Sequence, residues 1–83
     1  MIEKMISGPQ SRAARGLLGI SQMELAKAAG VSERAIVKFE AGKKKTQAST
    51  KMVIRMALES MGVEFIGDRG LQLKAGSDPE SSP

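Results

Sequence analysis

The side chains of this 83-residue chain that are equipped for chemistry are cations, and they are bunched. Between positions 34 and 55 stand Arg34, Lys38, Lys43, Lys44, Lys45, Lys51 and Arg55 against a single acid, Glu40, a net +6. The remaining positions carry six basic residues against eight acids, a net −2. Guanidinium and ammonium groups concentrated on one segment of an otherwise acidic scaffold are the electrostatic footprint of a polyanion binder; a solvated lysine-rich loop is the plainer alternative. Spacing adds to charge. Arg34 and Lys38 lie four residues apart, so a helix would set them on one face, with Glu33 and Val37 beside them.

Other chemistries are excluded by composition. The chain has no Cys and no His, which removes disulfides, thiolate and imidazole metal sites and Ser-His catalysis together. No phosphate-cradling glycine loop and no convincing carboxylate pair is present, so neither an enzyme nor a cofactor is expected, and no small-molecule ligand is evident. No apolar run approaches the ~20 residues of a membrane helix. The opening MIEKMISGPQ is too short and polar for a secretory signal. Absence of Cys fits a reducing cytoplasm. A chain this short buries only about 60–65% of the surface its unfolded form exposes, so a dimer is the usual remedy.

The elements that must position the cations are legible from caps and periods. Residues 1–6 read as a flexible leader. Ser7, Pro9 and Gln10 form a helix start of the capping-box type, with Ala13, Ala14, Leu17 and Leu18 as the apolar face and Gly19 as the stop. Ser21 and Glu24 form a second capping box, opening a short helix that ends at Gly30. Ser32 caps a third helix, Glu33 to Ala41, whose inner face is Ile36, Phe39 and Glu40. Ser49 or Thr50 opens a fourth, with Val53, Ile54, Ala57, Leu58 and Met61 at helical spacing. The period then changes. Val63-Glu-Phe65-Ile and Leu71-Gln-Leu73-Lys alternate as strands around a Gly67-to-Gly70 turn, giving a hairpin over 63–74. The polar tail 75–83 reads as disordered.

Residues 22–41 carry the functional signal. Two short helices meet at a turn where Gly30 suits positive φ and Ala26 permits a close crossing. Leu25, Ala29, Val31, Ile36 and Phe39 point inward, leaving Glu33, Arg34, Val37 and Lys38 outside. The stretch GISQMELAKAAGVSERAIVKFEAGK resembles the Cro/repressor type of helix-turn-helix, the XRE family, and the resemblance extends over roughly residues 7–62. It rests on Ser21-Gln22, Glu24-Leu25-Ala26, the Gly30-Val31-Ser32 turn, Ile36 and Glu40-Ala41-Gly42-Lys43. It implies a mainly α, four-helix lambda-repressor-like domain followed here by the short C-terminal β-hairpin. It further implies a sequence-specific regulator of double-stranded DNA, cytoplasmic and of bacterial, phage or mobile-element origin.

Roles follow from the resemblance. Glu33, Arg34 and Lys38 occupy base-reading positions; Gln22 buttresses the recognition helix and touches phosphate. Lys43 and Lys44 reach the backbone, and Lys45, Ser21 and Ser32 are added as phosphate contacts. Arg15 and Glu40 occupy the places of a structural ion pair. Arg34 and Lys38 have the donors for guanine, and Glu33 can accept from cytosine, but the plainer roles are phosphate contact for the cations and helix-dipole stabilisation for the acid. Val37 either meets a thymine methyl or is an idle surface valine. Many phage relatives have a fifth helix where this chain has a hairpin, so the dimer interface does not carry over. Met52, Met56, Val63, Phe65, Leu71 and Leu73 are the candidates for it; for the methionines and the hairpin side chains, cover within the same chain is the alternative. The leading expectation is a homodimeric repressor on a palindromic operator, with polymerase as a possible protein contact. An antitoxin that also autoregulates by binding DNA, with a toxin as partner, is the alternative from another class; a non-specific, nucleoid-like binder is a further one.

Overall fold

A computed structural model describes residues 5–42, 46–67 and 70–74. The order is α1 (Gly8–Leu18), α2 (Gln22–Ala29), α3 (Glu33–Ala41), α4 (Ala48–Ser60), β1 (Val63–Ile66) and β2 (Gly70–Leu73). The mainly α, four-helix fold with a C-terminal hairpin is the one expected. Residues 1–4 of the leader expected over 1–6, the lysines 43–45 and the tail 75–83 lie outside the described residues. None of the described helices is long and apolar enough to cross a membrane.

Helix starts follow the capping chemistry. The Ser7 Oγ accepts from the Gln10 backbone N–H at 3.2 Å, and the Gln10 Oε1 accepts from the Ser7 N–H at 2.9 Å. Ser21 and Glu24 repeat the exchange at 3.0 and 2.8 Å. Ser32 caps α3 through the Ala35 N–H at 3.1 Å. Each pair satisfies amide donors that a helix N-terminus leaves without partners. α4 begins one residue before the earlier of the two serine/threonine starts expected, at Ala48, with Gln47 at its cap position and no side-chain cap bond. Gly30 takes φ +75° at the α2–α3 turn, the left-handed region that costs a residue with a Cβ.

The core gathers Ile6, Ala14, Leu25, Ala26, Ile36, Phe39, Ile54, Ala57, Leu58 and Val63. Two of its members revise the sequence reading. Ile6, assigned to the leader, is buried. Val63, assigned to a dimer interface, has no exposed surface and is therefore a core residue of its own protomer. The hairpin pairs antiparallel in the register Val63 with Leu73 and Phe65 with Leu71. Strand alternation puts these four on one face, and Phe65, Leu71 and Leu73 are half-buried against the core of the same chain. A lone two-stranded hairpin is marginal in water; this one is carried by α1 and α4, against which β2 and β1 pack.

The buried face of α1 also differs from expectation. Ala14 is buried and Leu18 packs against the core as expected, but Ala13 and Leu17 are exposed, and Gly8, Gln10 and Ser11 are buried in their place. Two tertiary ties cause the rotation. The Gln10 Nε2, belonging to the same side chain that closes the capping box, donates to Gly70 O at 3.1 Å and Gly67 O at 3.4 Å, fastening the hairpin to α1. At Gly8 the backbone of α1 meets the end of α3 so closely that a Cβ would stand 2.4 Å from the Phe39 carbonyl oxygen. Only a hydrogen fits there. Gly8→Ala is therefore expected to push α1 from α3 and lower stability by about 1–3 kcal/mol, the usual cost of overpacking, as read from urea unfolding; an unchanged midpoint would show that the approach relaxes without cost.

Candidate nucleic-acid interface

α3 is divided lengthwise by its own periodicity. Ile36, Phe39 and Glu40 are buried, while Glu33, Arg34, Val37 and Lys38 are exposed. Of the five residues expected to point inward, Leu25, Ile36 and Phe39 are buried, and Ala29 and Val31 are half-buried at the edge of the core. The outer face has two cations one turn apart, a valine on the line between Glu33 and Ala41, and an acid in the first turn.

What fixes this face is a carboxylate on the opposite side of the same helix. Glu40 is only 3% exposed. Its Oε1 accepts from Arg15 Nη2 at 2.7 Å and from Gln22 Nε2 at 3.2 Å. Its Oε2 accepts from Arg15 Nε and from Ser11 Oγ, both at 2.8 Å. Arg15 thus forks onto both oxygens, the bidentate geometry that gives direction as well as strength. The same guanidinium donates through Nη1 to Ile20 O at 3.3 Å, tying in the α1–α2 turn. Arg12 Nη2 donates to the backbone oxygen of Glu40 at 2.8 Å, placing a cation at the C-terminal end of α3, where the helix dipole favours one. One residue thereby joins α1, α2 and α3.

Burial by itself would push the Glu40 carboxyl up; the hydrogen bonds from Arg15, Ser11 and Gln22, with the charge of Arg15, outweigh it and hold the carboxyl below its ordinary range. The hydrogen bond to Glu40 raises the Arg15 guanidinium, against desolvation.

The sequence-derived site residues divide into groups. Arg15 and Glu40 are brought together. Glu33, Arg34 and Lys38 share the outer face of α3. Ser21 and Ser32 are exposed at the starts of α2 and α3 with their hydroxyl oxygens engaged in capping. Gln22 is half-buried, and its amide N–H groups turn to Glu40 as a buttress. Lys43, Lys44 and Lys45 lie outside the described residues. Met52 and Met56 are 44% and 58% exposed, so the hairpin of the same chain does not cover them. Ser11 and Arg12 went unnoticed in the sequence. Their signal is spacing: Ser11 precedes Arg15 by four residues and Arg12 precedes it by three, which on a helix aligns all three on the side that meets Glu40. Between Arg12, Arg15, Gln22, Val37, Glu40 and Ala41 runs a shallow open depression of about 240 Å³ beside the outer face.

A family model of the helix-turn-helix matches residues 12–58, more than half of the chain. The chain belongs to the Cro/C1-type helix-turn-helix family, also called XRE. No curated protein matches the chain significantly. The matched span runs from Arg12 to Leu58, taking in both the Glu40 cluster and α3. This helix-turn-helix is accordingly that of a DNA-binding regulator.

The lowered Glu40 carboxyl makes a signed pH prediction. A carboxyl whose folded value lies below its unfolded value, ordinarily ~4.3 for glutamate, contributes stability that is complete above the unfolded value and is lost as pH falls through the folded one. Unfolding midpoints should therefore drop steeply below about pH 4, and part of that slope should vanish in Glu40→Gln. Arg15→Ala, which strands a buried carboxylate, should cost on the order of 3–5 kcal/mol at neutral pH. Urea melts across pH 3–8 check both; a Glu40→Gln profile parallel to the parent would exclude linkage through this group.

Proposed function

We propose that the chain is a homodimeric transcriptional repressor that binds an inverted-repeat operator with α3 in the major groove. The observation that carries this reading is the outer face of α3, where Arg34 and Lys38 project from a helix locked by the Glu40 cluster. A guanidinium or ammonium so held has the donors to bond guanine O6 and N7, the commonest specific contact in that groove. Glu33, in the same turn, supplies an acceptor for a cytosine amino group. Ser21, Gln22, Ser32, Lys43, Lys44 and Lys45 contact phosphate and set register without reading sequence.

One such domain reads only a few base pairs. Two copies reading half-sites about one helical turn, ~34–36 Å, apart raise affinity and specificity together. Blocking polymerase requires no further surface, so repression is the economical mode of regulation. The antitoxin reading is less well supported, because the hairpin it would use to wrap a toxin is spent on its own core through Val63, Phe65, Leu71 and Leu73.

Selection of bound duplexes from a random library at near-physiological salt is expected to enrich an inverted repeat with half-site centres about 10 bp apart. Binding without enrichment would reduce the chain to a non-specific binder. With the recovered duplex in hand, Arg34→Ala should relax preference at one position per half-site, costing about 1–3 kcal/mol there. Lys44→Ala should weaken binding to all duplexes alike and lower the salt slope. Identical behaviour of the two variants across duplexes would contradict the division between reading and positioning.

A further inference from the structure

The walls of the open depression beside α3 are Val37, Glu40 and Ala41 from α3, Arg12 and Arg15 from α1, and Gln22 from α2. Val37 and Ala41 have no side-chain donor. Each nitrogen of the Arg15 guanidinium is already bonded, Nε and Nη2 to the Glu40 carboxylate and Nη1 to Ile20 O. Two guanidiniums thus stand against one carboxylate that Arg15 alone neutralises, and the excess positive charge is that of Arg12. Arg12 is exposed, and its Nη2 donates to Glu40 O at 2.8 Å. Among the described residues no acid pairs with it, and its Nε and Nη1 donate to nothing.

We propose that Arg12 is a further DNA-positioning residue, which holds a backbone phosphate over this depression. The inference rests on the reading above that puts α3 in the major groove. A helix with its side chains is about 10–12 Å across and the groove about 12 Å wide. A helix lying there has a sugar-phosphate strand along each flank. Val37 and Ala41 lie on the flank of α3 that looks toward α1, and Arg34 and Lys38 stand outside the depression. The strand on that flank crosses the depression, and Arg12 stands on the wall opposite Val37 and Ala41.

The bond to Glu40 O gives the contact its use. It orders a long side chain on folding, so less freedom is lost when the phosphate arrives. Because the anchor is a backbone atom of α3, a phosphate on Nε or Nη1 fixes α3 against the DNA backbone and carries no sequence information. Arg12 would thereby set the depth and tilt at which Arg34 and Lys38 meet base edges. A free anion or an acidic peptide would find one available cation in the depression. A duplex engages that cation together with Arg34 and Lys38.

The test measures binding of the full chain to the recovered duplex, cut to one half-site, from about 50 to about 200 mM salt. Loss of a charge-assisted bond predicts that Arg12→Gln binds roughly ten-fold more weakly at the low end. Its slope of log affinity against log salt should be shallower by about 0.9, the value of one phosphate, so the gap narrows to about three-fold at the high end. Arg12→Lys, which keeps the charge, should retain the parent slope. A scan of single uncharged methylphosphonates along the duplex should find one position that weakens the parent and leaves Arg12→Gln unchanged. Since Nη2 also secures the end of α3, a purely structural role would give weaker binding with the parent's salt slope; that result overturns the inference and leaves the operator reading intact. A shallower slope with no methylphosphonate position coupled to Arg12 also overturns it, as a charge acting at a distance. A parent chain that binds no duplex overturns the reading on which the inference rests.

Discussion

The structure turns on one buried carboxylate. Glu40 lies in the interior of a domain too small to waste interior volume, and a buried charge is tolerated only when its oxygens are bonded. Its donors come from Ser11 and Arg15 on α1 and Gln22 on α2, while Glu40 itself belongs to α3. Satisfying the carboxylate therefore requires all three helices to be in place at once. An apolar residue of similar volume would pack there, yet it would tolerate rotation and sliding of α3. The fork of Arg15 onto both oxygens tolerates little of either.

That constraint bears on function because α3 has two faces doing different work. The inner one closes the core through Ile36 and Phe39, and the outer one presents Arg34 and Lys38. A shift of the inner face moves the outer one by as much, and bidentate contacts to a base edge fail with small displacements. Arg12 adds a bond to the backbone oxygen at the far end of the same helix, and Gly8 brings the start of α1 against it. α3 is thus held at its side and its C-terminal end by α1, and its N-terminal end is set by the Ser32 cap and the left-handed Gly30 turn. The position of the outer face of α3 is set by polar bonds beneath it.

Features governed by near neighbours in the chain were legible in the sequence. The serine caps, their glutamine and glutamate reciprocals, the glycine stops, the bounds of α3 and the change of period at Val63 all depend on interactions within a few residues. So was the Arg15–Glu40 pair, though through family resemblance and not through spacing. What the sequence hid was tertiary. Gln10 and Ser11 look like solvent-facing residues until the Gly67 and Gly70 carbonyls and the Glu40 carboxylate arrive as their partners. With those two turned inward, Ala13 and Leu17 are rotated out, against their polarity. Gly8 reads as a residue of a loose start, because nothing local reveals that another backbone lies above it.

Val63 shows the same limit in the other direction. Alternation in 63–66 identified a strand with one apolar face but could not say what covers that face. An exposed hairpin seeking a second copy and a hairpin folded onto its own helices have the same pattern. The capping glutamine decides between them: its Oε1 is committed to Ser7, so its Nε2 is fixed in direction and meets the Gly67 and Gly70 carbonyls. The hairpin is drawn onto the core of its own chain.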